Sequence, residues 1–362
     1  MPDRIYLDHA ATTPVRPEAV RATADAMAGW ANPSSPHGEG RAARRVLEDL
    51  RAAIGGTYGW TGSVLLTSGA SESLGIALGR AAVDRRAVSA VEHDAVFRAA
   101  GEAEMLPVGA DGLLSLDALD RFIAQPGRAL VAVQWTNSET GVRQPIAAVA
   151  ERVRAAGHLL LVDAAQMPAG IDPDVTTHAD LVAVSAHKRG GPPGIGALLV
   201  RDLGMLSPTG GQEFGYRPGT ENLPAAAGYA AALALPEPVE RWAALRARLD
   251  DAVRRSDGQV VGDGSPRHPA IGAYRMPGTA SAAQLIRFDL AGFAVSAGSA
   301  CASGSMKPSH VLAAMDWTEK AAREVVRVSF GRDTTANEIE AFIVAWRRIA
   351  RETRSDLGSF AA

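Results

Sequence analysis

The sequence predicts an α/β protein with a large domain, built on a mostly parallel central sheet flanked by helices, and a smaller α+β domain. Three observations support this fold class. Short apolar runs alternate with helical stretches between about residues 64 and 200, a segment with two prolines at 233–240 marks a hinge, and 362 residues exceed one average domain. We expect the large domain to cover residues 15–235 and the small domain to combine residues 1–14 with 236–362.

The first elements follow from local patterns. A short strand covers residues 4–8, and Pro17 begins a helix because proline suits the first helical turn. A second helix covers 41–54. The strand at 64–67 runs into a Ser-Gly-Ala-Ser turn and then into a helix at 72–82. Such a turn frames an anion, because the N-terminus of the helix offers free backbone N–H groups.

Strands and helices then alternate at a spacing that is typical of βαβ units. The predicted strands lie at residues 87–91, 105–108, 130–134, 159–162, 181–184 and 197–200, with helices from residues 95, 116 and 146. The active site of such a sheet lies at the carboxyl ends of its strands. Polar residues follow several strands: Ser71, His93, Ser138, Glu139, Asp163, Gln166 and Lys188. We expect them to converge on one pocket.

The part beyond the hinge predicts the small domain. A helix at 241–255 and strands at 271–276 and 325–330 indicate an α+β arrangement. The N-terminal 14 residues are expected to pack against it.

Lys188 is the residue around which the chemistry is organised. It lies in a tight Gly/Pro-rich connection between two strands, flanked by Ser185 and His187. A lysine beside a buried strand end can lose solvation, which suits it to act as a Schiff-base amine. Taken alone, a solvated surface lysine is the commoner case. Asp163 changes that balance, because a lysine and a carboxylate at two strand ends suit a pyridine cofactor, whose ring nitrogen the aspartate keeps protonated.

Further polar groups fit the same cofactor. His93 follows a strand end and is a candidate to lie over the ring, with a purely structural histidine as the alternative. The Gly69-Ala70-Ser71 turn offers donors to a phosphate, with simple helix capping as the alternative. Ser185, His187 and Thr220 are additional donors. No nucleotide-binding P-loop motif occurs in the sequence.

Cys301 is a candidate for a reactive thiol, and Arg327 is a candidate to bind a carboxylate. Cys301 is the one cysteine of the chain and lies in a run of small residues between two apolar segments, where a reactive role is favoured over an inert one. The side chain of Arg327 is on the face of its strand opposite Val326 and Val328. An arginine there can bind a substrate carboxylate, although a structural salt bridge is the commoner role.

The composition of the sequence argues against several classes of protein. Hydrophobic residues at 47% and charged residues at 21% are typical of a soluble globular protein, and a net charge of −3 offers no basic surface for direct nucleic-acid binding. Neither a signal peptide nor a membrane span is evident, so we expect a cytoplasmic protein. A single cysteine excludes an internal disulfide and a multi-thiolate metal site, and no metal is expected.

Ten motifs together resemble one family. They are IYLDHAATTP at 5–14, NPSSPHGEGRAAR at 32–44, LTSGASES at 66–73, EHDAV at 92–96, NSETGVRQP at 137–145, VDAAQ at 162–166, SAHKRGGPPGIGAL at 185–198, GGQEFGYRPGTEN at 210–222, SAGSACASG at 296–304 and VRVSFGRDTT at 326–335. In order and spacing the chain resembles the cysteine desulfurases, which are fold-type I pyridoxal-phosphate enzymes related to the class V aminotransferases.

The resemblance implies roles residue by residue. Lys188 is similar to the family's Schiff-base lysine, Asp163 to the partner of the ring nitrogen, Gln166 to a donor to the ring oxygen and His93 to the ring-stacking residue. Ser71, Ser185 and His187 match phosphate contacts, and Thr220 matches one that the neighbouring subunit of a homodimer supplies. Arg327 and Asn32 match substrate contacts, and Cys301 matches the catalytic cysteine.

The implied activity is removal of sulfur from L-cysteine with pyridoxal 5′-phosphate, which gives L-alanine and a persulfide on Cys301. A protein sulfur acceptor, such as an iron–sulfur scaffold or a tRNA-thiolation relay, is expected. Ser138 stands where the family often has a second asparagine. Two alternatives stay open: another class V reaction, such as transamination or selenocysteine cleavage, and a weakly active regulatory protein that keeps the fold.

Overall fold

The computed structural model describes residues 4–299 and 308–360. The strands are β1 (Ile5–Tyr6), β2 (Ser63–Thr67), β3 (Arg85–Ser89), β4 (Glu104–Leu106), β5 (Ala129–Gln134), β6 (Leu159–Asp163), β7 (Leu181–Ser185), β8 (Gly196–Val200), β9 (Gln259–Val260), β10 (Ile271–Arg275), β11 (Phe293–Ala294), β12 (Ser296–Ala297) and β13 (Val325–Ser329). The helices are α1 (Pro17–Ala28), α2 (Gly38–Thr57), α3 (Ala70–Arg80), α4 (Asp94–Ala100), α5 (Leu116–Ile123), α6 (Ile146–Ala155), α7 (Pro173–His178), α8 (Leu223–Leu233), α9 (Val239–Arg254), α10 (Ser281–Leu290), α11 (His310–Ala314), α12 (Glu319–Ala322) and α13 (Ala336–Phe360). Within these ranges, none of the helices has the length and apolar character needed to cross a bilayer.

The central sheet has seven strands in the order β2-β8-β7-β6-β5-β3-β4. From β4 to β7 every pair of neighbours is parallel, whereas β8 runs antiparallel to both β7 and β2. The predicted mostly parallel sheet is therefore confirmed. The antiparallel pairing of β7 with β8 also makes the segment between them, which carries Lys188, a tight connection within one sheet.

Both faces of the central sheet are buried, which explains why its strands are continuous apolar runs rather than alternating ones. In β5, Val131 and Val133 enter the core on one face, while Leu130 and Ala132 enter the core on the other. Side chains alternate in this way because successive residues of a strand point to opposite faces. Burial of each valine or leucine contributes about 1.5–3 kcal/mol, so the sheet is a rigid platform for the residues at its edge.

A second, four-stranded antiparallel sheet has the order β12-β13-β10-β9, and β1 pairs in parallel with β11 beside it. Its core contains stacked aromatic rings, with the centroids of Phe288 and Phe342 at 4.8 Å and Trp346 close by. Leu7 of the N-terminal segment packs into the same core. The domain division at residues 15–235 and 236–362 stays a prediction.

Helix α8 has no counterpart in the sequence prediction. Most of its residues are buried and apolar, so it lacks the polar face that would reveal a helical period. A Cβ atom on Gly228 would lie 2.2 Å from the Thr23 Oγ1 of α1, so only glycine allows the two helices to approach this closely. Boundaries also differ: α2 begins at Gly38, before the predicted residue 41, because His37 caps it by accepting the Gly40 N–H.

A buried charge cluster connects the hinge to both sheets. The Glu237 carboxylate, 3% exposed, accepts hydrogen bonds from Arg189 at 2.9 Å and Arg332 at 3.2 Å. It also accepts the backbone N–H of Ala169 at 2.9 Å. Arg189 is the neighbour of Lys188, and Arg332 follows β13. The hinge residue thereby fixes the lysine-bearing connection against the second sheet.

Replacing Glu237 with glutamine should destabilise the protein, because two arginines would remain buried without a counter-charge. We expect Glu237→Gln to lower the free energy of unfolding by about 3–5 kcal/mol, the range for breaking a buried ion pair. Urea unfolding of the variant and the wild type measures the difference. Glu240→Gln, at a neighbouring exposed glutamate, is the matched control and should change stability by less than about 0.5 kcal/mol.

Candidate active site

A cavity of about 460 Å³ lies at the carboxyl ends of the central strands. Among its lining residues are Gly69, Ala70, Ser71, His93, Ser138, Asp163, Gln166, Ser185, His187, Lys188 and Arg327. All but Arg327 end or follow strands of the central sheet, whose parallel members end at the same edge. The structure thus brings together most of the residues that the sequence singles out.

Hydrogen bonds from the N-terminal segment fix the main chain around Lys188. The Thr13 N–H donates to the carbonyl of His187 at 2.9 Å, and the Thr13 hydroxyl donates to the carbonyl of Lys188 at 3.2 Å. The Arg16 N–H donates to the carbonyl of Gly190 at 2.9 Å. The N-terminal segment therefore fixes the lysine's main chain, while its half-buried side chain lines the cavity.

Asp163 ends β6 and is 9% exposed. Its Oδ1 accepts the backbone N–H of Ala165 at 3.0 Å, which fixes the carboxylate at the carboxyl end of the strand. Gln166 follows in the same turn, and its Nε2 donates to the carbonyl of Ala10 at 2.8 Å. One amide hydrogen of Gln166 is thereby used, and the second is available for a group in the cavity.

His93 caps α4, since its Nδ1 accepts the N–H of Ala95 at 3.1 Å. A neutral ring with Nδ1 as acceptor carries its proton on Nε2. Burial lowers the pKa of His93, and the positive charge of Lys188 lowers it further. His93 therefore lines the cavity as a neutral Nε2–H donor at neutral pH.

An anion frame occupies one end of the cavity. Gly69 caps α3 with φ of +146°, a conformation that favours glycine, and Ala70 and Ser71 form the first turn of that helix. Ser185 is 3% exposed, and His187 adds an imidazole whose pKa falls to about 4, first because of burial and then because of the charges of Lys188 and Arg189. Neutral donors and a helix N-terminus are suited to a phosphate.

These donors fit pyridoxal 5′-phosphate. The cavity holds an amine for the aldehyde, a carboxylate for the ring nitrogen, an imidazole for the ring and a helix N-terminus with hydroxyl groups for the phosphate. Among the described residues, no group of three or more His, Cys, Asp or Glu side chains is arranged to hold a metal ion.

Comparisons with known proteins agree with this arrangement. The family model for class-V aminotransferases matches residues 5–342. A cysteine desulfurase of Cereibacter sphaeroides is 37% identical, with 98% of this chain and 97% of that protein covered. A NifS-like protein of Rickettsia africae superposes with a TM-score of 0.86 at 30% identity, covering 96% of this chain and 99% of that one. The chain belongs to the cysteine desulfurases of the class-V aminotransferase family. The predicted family and its fold-type I architecture are thereby confirmed.

This chain is also similar to a solved structure of SspA in complex with cysteine, with a TM-score of 0.77 at 27% identity. The match covers 91% of this chain and 100% of that one. A putative cysteine desulfurase of Bacillus subtilis is 33% identical, with 93% of this chain and 96% of that protein covered.

Two residues with family-implied roles do not line the cavity, and a third lies outside the part of the chain that the structure describes. Asn32 and Thr220 are exposed and are not among the residues that line it. Cys301 lies outside the described residues. Arg327 does line the cavity, from β13 of the second sheet. The structure therefore brings together most of the residues predicted to hold the cofactor and one residue, Arg327, predicted to bind the substrate.

Ser138 and Asn137 differ in function within the NSET motif. Ser138 is half-buried and lines the cavity, at the position where the family often has asparagine. Asn137 is buried, and its Oδ1 accepts the N–H groups of Glu139 and Thr140 while its Nδ2 donates to the carbonyl of Val91. Asn137 thus shapes the turn, and Ser138 is the residue of the pair that lines the cavity.

Sequence reasoning missed Glu92. This glutamate is fully buried, and its Oε1 accepts the N–H of Gln134, whose Cα is the register partner of Asp163. Burial raises the pKa of Glu92 well above its usual range, and the negative charge of Asp163 raises it further. Burial therefore favours the protonated, neutral form of Glu92 behind the cavity. Its position directly before His93 was the available signal, but a sequence does not reveal burial.

Glu92 should make the stability of the protein depend on pH. Its folded-state pKa is raised, so its contribution to stability is complete below the unfolded value of about 4.3 and is lost as pH rises towards the folded value. Glutamine keeps the acceptor for Gln134 and cannot ionise. Above about pH 5, the free energy of unfolding of the wild type relative to Glu92→Gln should fall as pH rises, by at most about 1.4 kcal/mol per pH unit.

Urea unfolding of the cofactor-free protein at several pH values measures this slope. Glu102→Gln, at an exposed glutamate, is the control. A wild-type curve parallel to that of Glu92→Gln would show that Glu92 is ionised in the fold.

Proposed function

We propose that the protein is a pyridoxal-phosphate-dependent cysteine desulfurase that removes sulfur from L-cysteine, releases L-alanine and carries the sulfur as a persulfide on Cys301. The observation that carries the proposal is a single cavity lined by Lys188, Asp163 and Arg327. Membership of the cysteine desulfurases supports the choice of reaction among the class-V enzymes.

Each cavity residue has a task in this reaction. Asp163, Gln166 and His93 hold and orient the cofactor ring, and the α3 N-terminus with Ser185 and His187 holds its phosphate. When bound, pyridoxal phosphate supplies an electron sink for negative charge at the substrate Cα. Lys188 anchors the cofactor in the resting protein and moves the Cα proton during turnover. Arg327 binds the substrate carboxylate through its fork of N–H donors.

Cys301 acts on sulfur. Its thiolate attacks the substrate sulfur, so that an S–S bond forms, the C–S bond breaks and its electron pair goes to the carbon fragment, which is protonated and leaves as alanine. His93, neutral with a proton on Nε2, is suited to proton transfer near the leaving sulfur.

Chain geometry supports this role for Cys301. Ala297 of β12 pairs with Val326, the neighbour of Arg327. Ala297 precedes Cys301 by four residues in the sequence. On the other side, the Ser309 hydroxyl donates to Glu139, and His310 donates to the carbonyl of Glu92, next to His93. Both flanks of the cysteine segment are therefore tied to the rim of the cavity.

A homodimer in the cytoplasm completes the proposal. Thr220 is exposed, which suits a residue that reaches the phosphate of a partner subunit. Met27, Trp30 and Phe214 are large apolar side chains that are 62%, 44% and 49% exposed, and a second copy is a suitable cover for them. A catalytic thiol needs a reducing compartment, which supports the cytoplasm. The persulfide then passes to a protein acceptor.

Replacing Lys188 should remove the covalent link to the cofactor. After incubation with pyridoxal phosphate and reduction with borohydride, mass spectrometry of the wild type should find the cofactor on the peptide that carries Lys188. Lys188→Ala should carry no such label and should lose at least a thousandfold in alanine formation. Lys320→Ala is the control, because Lys320 lies on α12, away from the cavity. A label on another peptide would disprove the assignment.

Replacing Cys301 should separate cofactor binding from sulfur transfer. Cys301→Ala should bind pyridoxal phosphate as the wild type does, yet form neither alanine from L-cysteine nor a persulfide. Mass spectrometry after incubation with L-cysteine should find one added sulfur on Cys301 in the wild type. Full sulfur release by Cys301→Ala would refute the persulfide role, and a keto-acid product in place of alanine would indicate transamination.

A further inference from the structure

One face of the second sheet gathers polar side chains next to Arg327. Arg327 of β13 pairs with Ser296 of β12, and Ser329 pairs with Asp8 through an isolated parallel bridge. Paired residues on neighbouring strands share a face, and so do residues two apart on one strand. Asp8, Ser296, Arg327 and Ser329 therefore project from the same face, which is the one that Arg327 turns to the cavity.

Direct contacts hold Asp8 in this group. The Ser296 side chain hydrogen-bonds to the Asp8 carboxylate, and the positive charge of Arg327 acts on it. The Ala10 N–H donates to the Ser329 Oγ at 2.8 Å, and the Ser329 N–H donates to the carbonyl of Leu7, also at 2.8 Å, so the chain on both sides of Asp8 is fixed to β13. These bonds fix the main chain of Asp8 beside β13, the strand that carries Arg327.

Arg327 has capacity for a further partner. Its Nε is buried and has no hydrogen-bond partner among the residues that the structure describes. The guanidinium of an arginine offers five N–H donors, which one carboxylate does not use up.

The electrostatic surroundings of Asp8 are simple. Burial raises the pKa of its carboxyl group, while the hydrogen bond from Ser296 and the charge of Arg327 lower it, and the net direction is upward. The charged and titratable groups that act on it are Arg327 from β13 and Tyr6 from its own segment. The pKa of Tyr6 rises to about 12, first through burial and then through the charge of Asp8. Among the residues that the structure describes, Arg327 is thus the one cation to which Asp8 is coupled.

We propose that Asp8 is a positioning residue that competes with the α-carboxylate of the substrate for the charge of Arg327, and so limits how tightly amino acids are held. This inference rests on the proposed function of Arg327. A carboxylate that reaches Arg327 must share it with the Asp8 carboxylate, and the repulsion between two like charges weakens binding by roughly three- to tenfold. The benefit is release, because the product alanine carries the same carboxylate as cysteine.

Asp8→Asn is the sharp test, because asparagine keeps an acceptor for Ser296 and removes the charge. In the holoenzyme we expect the KM for L-cysteine and the Kd for L-alanine to fall about three- to tenfold at neutral pH. The difference between variant and wild type should shrink as pH falls, since Asp8 itself then loses its charge. Cysteamine, which lacks the carboxylate, should bind equally to both proteins. Asp289→Asn, at an exposed aspartate of α10 that pairs with Arg4, is the matched control and should change none of these values.

A purely structural role for Asp8 predicts a different pattern. If Asp8 only fixes β12 through Ser296, then Asp8→Asn should bind L-alanine as the wild type does or more weakly, with no dependence on pH. Either result overturns the proposal.

A second readout needs no cofactor. Phenylglyoxal modification of the cofactor-free protein, mapped by mass spectrometry, reports the reactivity of Arg327, which a neighbouring carboxylate slows because it stabilises the guanidinium. Asp8→Asn should react about three- to tenfold faster at Arg327, and Asp289→Asn should not. An unchanged rate contradicts the coupling of Asp8 to Arg327. Arg327→Gln separates the two proposals: if it keeps the wild-type preference for L-cysteine over cysteamine, the assigned function of Arg327 fails, whatever Asp8 does.

Discussion

The register between β6 and β7 is the constraint on which the site depends. Asp163 is the Cα partner of Ala183, and Lys188 follows five residues later, after the end of β7. A slip of one residue would turn every side chain of β7 to the opposite face of the sheet and exchange its two buried sets. Because both faces are packed, such a slip is costly, and the separation of carboxylate from amine is fixed by the hydrophobic core rather than by the site itself.

The N-terminal segment makes the second connection. Between residues 7 and 13 the chain bonds to Ser329 on the second sheet, then to the Gln166 side chain, then to the main chain of Lys188. The arginine proposed to bind the substrate carboxylate and the lysine proposed to bind the cofactor are therefore spaced by a single short stretch of polypeptide. Hydrogen bonds of this stretch and the ion pairs of Glu237 at residues 233–240 therefore fix the distance between the two sheets.

Particular residues show what the sequence could predict. The strand at residues 130–134 was evident because a run of apolar residues is what burial on both faces requires, and the convergence of Asp163 and Lys188 followed from parallel strands. Helix α8 was missed because it is buried and shows no polar face. Glu92 was missed because its hydrogen-bond donor, the N–H of Gln134, belongs to β5, a partner that local sequence does not reveal. The part played by Asp8 depends on the pairing of β13 with two distant segments, which only the folded chain brings together.

Burial shifts the pKa values of several groups in or behind the cavity. Three of these groups move towards their neutral form, since the pKa of Glu92 rises and those of His93 and His187 fall. Glu72, which also lines the cavity, is the exception: burial raises its pKa, but hydrogen bonds from Ser68 and Arg217 outweigh burial and lower it. Neutral donors and acids can bind a phosphate or orient a ring without attracting competing ions, since a buried charge without a partner is costly. Specific charge recognition is then left to few groups, and each of these is held by main-chain bonds: Asp163 by Ala165, Lys188 by Thr13 and Arg327 by its strand. Such a site distinguishes its ligands by the positions of a few charges. The additional carboxylate of Asp8 is therefore expected to change how strongly Arg327 binds a ligand carboxylate.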